Sequence, residues 1–293
     1  MENPMRTAIT WIVLALPAAA QESLTITRVP APFGDDPRPF CVSLPEDGRL
    51  LAYQSARAGG RGKQDIWLSK FENGWWSEPY NAGPGINTAA NDVDAKLSAD
   101  GNSMVFIRGD DFKVASDIYI SYFRNGGWSQ AEMMGPPVSL PASVEFGALL
   151  SRDGKRLYFS SNRPGGLGSF DHYYSERTGA GWGAPVNLGP GINTPEGDVD
   201  IAVSRDGTAL VFPSRRSDSI GNSTDLYVSR WVSNAWTAPV NLGPRINTAV
   251  TDTCPWLGYD GRTLYLNTEW DGLVAGRQAN TTVWEFRFGG SFP

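Results

Sequence analysis

The chain has 293 residues and a formal net charge of −6, and its Lys and Arg are scattered rather than gathered into a stripe. That balance argues against nucleic acid as a partner. Eleven Trp and 41% hydrophobic residues exclude disorder, while 33 Gly and 21 Pro favour an all-β chain with many turns over a helical one.

The N-terminus reads as a secretory signal. Arg6 gives a positive start, Ala8–Pro17 an apolar run, and Ala18, Ala19 and Ala20 a small-residue cleavage site. Residues 1–20 are therefore expected to be removed, and 21–293 to form the mature domain in the periplasm or outside the cell. The run is too short to span a bilayer, an uncleaved anchor being the alternative reading, and no later segment suits membrane insertion. A lone β-rich segment, 24–29 (LTITRV), follows.

From there the sequence repeats itself. Asp-Gly recurs with its glycine at Gly48, Gly101, Gly154, Gly207 and Gly261, at intervals of 53, 53, 53 and 54 residues. The copies run over about 38–92, 93–145, 146–198, 199–252 and 253–293. Each carries a segment ending in Asp-Gly, a β-rich run such as RLYFSS, a Gly- or Ser-rich loop and then Asp-Ile-Tyr or a variant of it. In the first four copies a Trp segment follows (Trp76, Trp128, Trp182, Trp236), and N-x-G-P-x-I-N-T begins at Asn81, Asn187 and Asn241. Four short strands in about 50 residues make a propeller blade, so the sequence predicts a five-bladed β-propeller. The fifth copy stops after its third strand, and 24–29 is expected to supply the fourth, closing the ring.

The pattern S-x-D-G, aromatic strand, S-x-R, D-I-Y, Trp strand, N-L-G-P-x-I-N-T resembles the TolB-type, WD-like propeller repeat family over nearly the whole mature chain. The resemblance implies the fold and an exported module that binds protein or cell-envelope glycan, working as a monomer without a cofactor. It leaves the partner open.

The inner strand of each blade precedes Asp-Gly. Counting back from the residue two before that dipeptide, positions −1, −3 and −5 are almost all apolar, as in Leu97, Ala95 and Val93. Positions −2, −4 and −6 are mixed. Strict alternation predicts that the first set packs between blades and the second lines the central channel. Asp92, Glu145, Asp198 and Asp252 then form an acidic mouth at −6, with Asp94 and Asp200 at −4. Arg57, Arg163 and Arg216 share that face from the next loop, with Trp270 at the same place in the fifth copy.

Three readings of this mouth stand side by side. The carboxylates cap turn amides and pair with the arginines. Or Asp92, Asp198 and Asp252 hold Ca²⁺, relieving mutual repulsion. Or Glu145 works with Asp92, Asp198 or Asp252 as the acid and base of a glycoside hydrolase or lyase, as in some five-bladed glycosidases. The symmetry-breaking residues are the sharper candidates for binding. Copy 2 replaces N-x-G-P-x-I-N-T by MMGPPVSLPASVEF, Lys96 is the one basic residue of the channel set, and Trp256 its one aromatic. His172, the only histidine, reads as a packing residue. Cys41 and Cys254 both occupy −4, in copies that ring closure makes neighbours, and so predict a disulfide across the seam.

Overall fold

The computed structural model describes residues 24–28, 39–112, 114–179, 181–270 and 280–290, with Phe33, Asp36 and Phe292. The signal sequence expected over 1–20 lies outside them. Five antiparallel sheets form the five blades of a propeller. The inner strands are Phe40–Ser43, Asn91–Leu97, Glu145–Leu150, Ala202–Val203 and Asp252–Leu257. Each pairs with a second strand: Leu50–Ser55, Ser103–Asp111, Arg156–Ser161, Ala209–Ser214 or Thr263–Trp270. The third strands are Asp65–Glu72, Ala115–Arg124, Asp171–Thr178, Asp225–Val232 and Asn280–Arg287.

In blades 1 to 4 the outer strand is broken in two, as in Trp75–Trp76 followed by Tyr80–Asn81. In blade 5 it is Thr25–Arg28, which pairs antiparallel with Asn280–Arg287, setting Thr25 opposite Arg287 and Arg28 opposite Trp284. The first described strand therefore completes the last blade, as the truncated fifth copy requires. It covers the edge that Asn280–Arg287 would otherwise leave open.

The core lies between blades. Ala52, Ile66 and Leu68 of blade 1 pack on Ala95, Leu97 and Phe106 of blade 2, and equivalent clusters fill the other interfaces. At the mouth face of blades 1, 3 and 4 the residue before the third strand is hydrogen-bonded to the start of the next blade's inner segment: Gln64 O accepts from Asp92 N, Phe170 O from Asp198 N and Thr224 O from Asp252 N.

Strict alternation along the inner strands does not hold. Val93 joins the cluster shared with blade 3, whereas Ala95 and Leu97 face blade 1. The cause is a bulge at −4 in every copy. Cys41, Asp94, Gly147, Asp200 and Cys254 all take positive φ, between 49° and 58°, and the pairing register slips there in blades 1, 2, 3 and 5. One left-handed residue per strand reverses which face each later side chain meets.

Candidate functional site

The bulge brings the five −4 residues to the propeller axis. Cys41 and Cys254 are bonded there, with Cα atoms 5.1 Å apart, tying blade 1 to blade 5. The other three fill the rest of the ring. A Cβ on Gly147 would lie 2.7 Å from Asp200 Cα, so only glycine lets these two blades approach this closely. The bulge backbone is held by neighbours: Cys41 N donates to Asn267 Oδ1 and Asp94 N to Gln54 Oε1.

Below this ring sit the −2 residues, all buried. Lys96 Nζ lies 2.8 Å from Asp94 Oδ1 and 6.0 Å from the Trp256 ring centre. Asp200 Oδ2 accepts from Thr253 Oγ1 at 3.1 Å. Burial, then the nearby Asp94 charge, pushes its pKa up to about 6. Lys96, Asp94 and Trp256, at 3–4% exposure, belong to an axial plug and not to an open channel wall.

The −6 carboxylates are also internal; Asp92, Glu145, Asp198 and Asp252 are each 0% exposed. Their partners explain why. The loop before each inner strand ends I-N-T, and the Thr four residues ahead of the Asp donates both its N–H and its O–H to one carboxylate oxygen. The pairs are Thr88 with Asp92, Thr194 with Asp198 and Thr248 with Asp252. The second oxygen accepts from the neighbouring strand: Arg108 Nε, Ser214 Oγ and Thr268 Oγ1 respectively. Burial raises the pKa of Asp198 and pushes that of Asp252 up to about 6. These are turn caps; a metal would have to displace every one of those donors.

Among the described residues, the one group of three donors within 4.8 Å of each other is Cys41, Asp200 and Cys254, not Asp92, Asp198 and Asp252. Asp92, Asp198 and Asp252 instead each accept hydrogen bonds from their own turn and from the neighbouring strand. The bonded sulfurs of Cys41 and Cys254 are not thiolates and do not make a metal centre either.

Glu145 is the exception among the caps. Copy 2 lacks the I-N-T threonine, so its carboxylate turns to Ser143 Oγ, Ser161 Oγ and the Arg163 guanidinium, all through Oε1. Oε2 is buried without a hydrogen bond. Burial pushes its pKa up to about 7, against the Ser and Arg contacts.

The arginines lock loops rather than face solvent. Arg163 donates to the carbonyls of Pro137 and Val138 and lies over Phe159 and Tyr173. Arg216 donates to Ile192 O over Phe212 and Tyr227. Arg57 is a quarter exposed and reaches Tyr53 Oη and Asp36. The sequence pattern missed Arg108, which enters the same kind of slot from a different register, donating to Ile86 O over Tyr119. The side chain of Trp270 lies outside the described residues. His172 is fully buried, its Nδ1 2.9 Å from Ser160 Oγ, and desolvation lowers its pKa to about 3.

The repeated asparagines are equally structural. Asn87, Asn193 and Asn247 each accept from a third-strand amide and donate to the carbonyl of the same residue; the residues are Ile66, His172 and Leu226. Asn81, Asn187 and Asn241 donate to the Asp of the D-I-Y position.

Sequence reasoning overlooked the opposite face. Two cavities of about 470 Å³ each flank the Asp-Gly turn of blade 3, and Ser151, Arg152, Asp153, Lys155 and Arg177 line both. Here Glu46 of blade 1 bridges Arg152 of blade 3 and Arg205 of blade 4 at 2.9 and 2.7 Å.

Fold and site together define a sealed five-bladed propeller with a structural axis. No protein-family model matches the chain and no curated protein matches its sequence. Solved structures do share the fold. TolB from Acinetobacter baumannii superposes with a TM-score of 0.52 at 17% identity over 86% of this chain. The chain spans about half, 55%, of that protein's length. The catalytic domain of a GH62 α-L-arabinofuranosidase from Coprinopsis cinerea gives 0.59 at 13% identity, covering 90% of this chain and 96% of that one. An α-L-arabinofuranosidase from Lactobacillus brevis gives 0.58 at 12%, covering 92% and 93%. The fold is thus one that TolB propellers and arabinofuranosidases have in common, and the resemblance read from the repeat extends to three dimensions.

Proposed function

We propose that the chain is an exported, non-catalytic propeller that binds a protein or a cell-envelope glycan on its mouth face. The observation that carries this reading is the state of the mouth carboxylates: all four are fully buried and engaged in internal hydrogen bonds, so none meets a substrate. Recognition then falls to the loops between second and third strands, which rim the same face. They differ from copy to copy and present Arg61, Lys63, Val114 and Leu167 to solvent. A seam disulfide and the TolB-like fold are compatible with the periplasm or the outside of the cell, and among the described residues no helix is long and apolar enough to cross a membrane.

A glycoside hydrolase or lyase is the second reading, and one observation favours it. Glu145 is held near pKa 7, where a general acid must titrate to work at neutral pH. The test pairs turnover with binding. Aryl arabinofuranosides and arabinoxylan are offered to the wild-type chain and to Glu145→Gln, and an envelope-glycan array and an envelope-protein cross-linking screen to the wild type and to Arg61→Ala/Leu167→Asp. Saturable binding lost in the loop variant, with no turnover, is the expected outcome. Turnover that Glu145→Gln abolishes would refute the binding reading.

A further inference from the structure

On the face opposite the mouth, blade 3 departs from its siblings. Six residues after the D-I-Y aspartate, blades 1, 2 and 4 carry an aromatic that packs edge-on against the outer-strand Trp: Phe71 on Trp76, Phe123 on Trp128, Trp231 on Trp236. Blade 3 has Arg177 there, its guanidinium 5.0 Å from the centre of Trp182. The aromatic face holds the planar guanidinium in place while its donor edge stays free. The turn beside it reads Arg152-Asp153-Gly154-Lys155-Arg156, where blade 2 has Ala99-Asp100-Gly101-Asn102-Ser103. In a chain of net charge −6 this turn and Arg177 set four cations beside Asp153, in two adjoining cavities whose lining also includes Arg205 and the carboxylates Glu46, Asp100, Glu176 and Asp206.

Not all of these cations are matched. Arg156 pairs with Glu176 at 3.0 Å, and Arg152 and Arg205 share Glu46. The Glu46 contact is informative: Arg152 donates to it through both Nε and Nη2, at 3.0 and 3.1 Å, so this cluster already holds one carboxylate in a two-pronged grip. Arg177 makes no ion pair among the described residues, and Lys155 only a 3.8 Å contact with Asp153, both side chains being well exposed.

We infer that the cleft around the blade 3 turn is a docking site for an acidic peptide segment of a protein partner, with Arg177 and Lys155 receiving its carboxylates. The mixed lining selects peptide over polyanionic glycan. Asp153, Glu176 and Asp206 stand among the cations, where they would repel a uniformly charged polyuronate but can accept the backbone amides of a peptide. The site lies on the face opposite the mouth, and its existence is independent of the mouth-face reading above.

The whole chain is titrated against a fluorescein-labelled peptide in which glutamates alternate with glycines, by anisotropy, at low salt and at about 0.5 M salt. Arg177→Phe/Lys155→Asn restores residues found in sibling blades and so preserves the fold, which an unchanged melting temperature verifies. Roughly tenfold weaker binding is expected for it, with salt removing most of the difference. Lys70→Ala, an exposed cation of blade 1 outside both cavities and outside the mouth loops, is expected to bind as wild type does. Equal binding by wild type and the double variant overturns the proposal, and so does an equal loss in Lys70→Ala. Tighter binding of an oligogalacturonate than of the peptide, lost in the same double variant, overturns the peptide assignment in favour of glycan.

Discussion

Removing the seam disulfide gives the most direct measure of what holds the ring closed. Cys41 and Cys254 are separated by 213 residues, nearly the whole propeller. A bond closing a loop that long removes a large share of the unfolded chain's freedom, and the loop-entropy relation gives about 5 kcal/mol at 25 °C. Measured crosslinks fall short of this limit because unfolded chains keep some structure, so roughly 3–5 kcal/mol is the expected loss. Alanines at both positions remove the bond and leave only a small void on the axis. For a chain of this size each kcal/mol shifts the melting temperature by about 2–4 °C, so Cys41→Ala/Cys254→Ala is expected to melt on the order of 10 °C lower. Calorimetry on the wild type, the wild type with reductant and the variant checks this. Reduced wild type and variant should coincide, since the pairing of Thr25–Arg28 with Asn280–Arg287 still closes the ring in both. A drop below about 2 °C, with a non-reducing gel showing the wild type bonded, refutes the argument from loop entropy.

Gly147→Ala places a methyl 2.7 Å from Asp200 Cα at a φ of 57°, and a loss of roughly 2 kcal/mol or more is expected in urea unfolding. Asp92→Ala strips Thr88 of its acceptor and leaves Arg108 without its carboxylate; about 3 kcal/mol is expected from the same assay, with Asp92→Asn recovering part of it. Glu145 has its pKa raised from 4.5 to about 7, so the folded chain holds its proton more tightly than the unfolded one. The stability this confers is complete below about pH 4.5 and disappears as pH rises through about 7. Glu145→Gln should therefore flatten the fall in melting temperature between pH 5 and 7.5. His172, with a pKa lowered from 6.5 to about 3, acts in the opposite sense, adding stability above 6.5 that is lost as pH falls towards 3. The difference between variant and wild type, not the wild-type curve, is thus the quantity to read; identical slopes would refute the assignment.

The repeat made the blade count and the closing strand legible, because Asp-Gly turns and a truncated last copy are local signals with one topological consequence. The paired cysteines followed from the same count. What the pattern hid was the bulge. Period-two reasoning assumes every residue is extended, and one left-handed residue at −4 breaks it. A trace was present: Asp and Gly, residues that tolerate positive φ, hold −4 in three copies. The burial of Asp92, Asp198 and Asp252 was also readable in principle, since each follows its I-N-T threonine by four residues, a spacing that invites a capping carboxylate. Arg108 was not readable, because it reaches its aromatic slot from the second strand instead of the loop after it. Nor were the cavities beside blade 3, whose Asp-Gly turn registers in sequence only as a turn.

The axis shows why such a ring cannot keep its symmetry. Five equivalent left-handed positions converge there, so whatever residue one copy carries meets its own image. Five aspartates would place five charges around one buried axis, and five glycines would leave it hollow. The chain resolves this with unlike residues: a covalent pair at Cys41 and Cys254, a carboxylate at Asp94 paired with Lys96, a Gly147 that lets the blades close, and Asp200, whose pKa burial and then the Asp94 charge raise. Broken symmetry at the axis is therefore a packing requirement and does not by itself mark a ligand site. At the rim, no such convergence forces Arg177 to differ from Phe71, Phe123 and Trp231, and there the same kind of departure points to recognition instead.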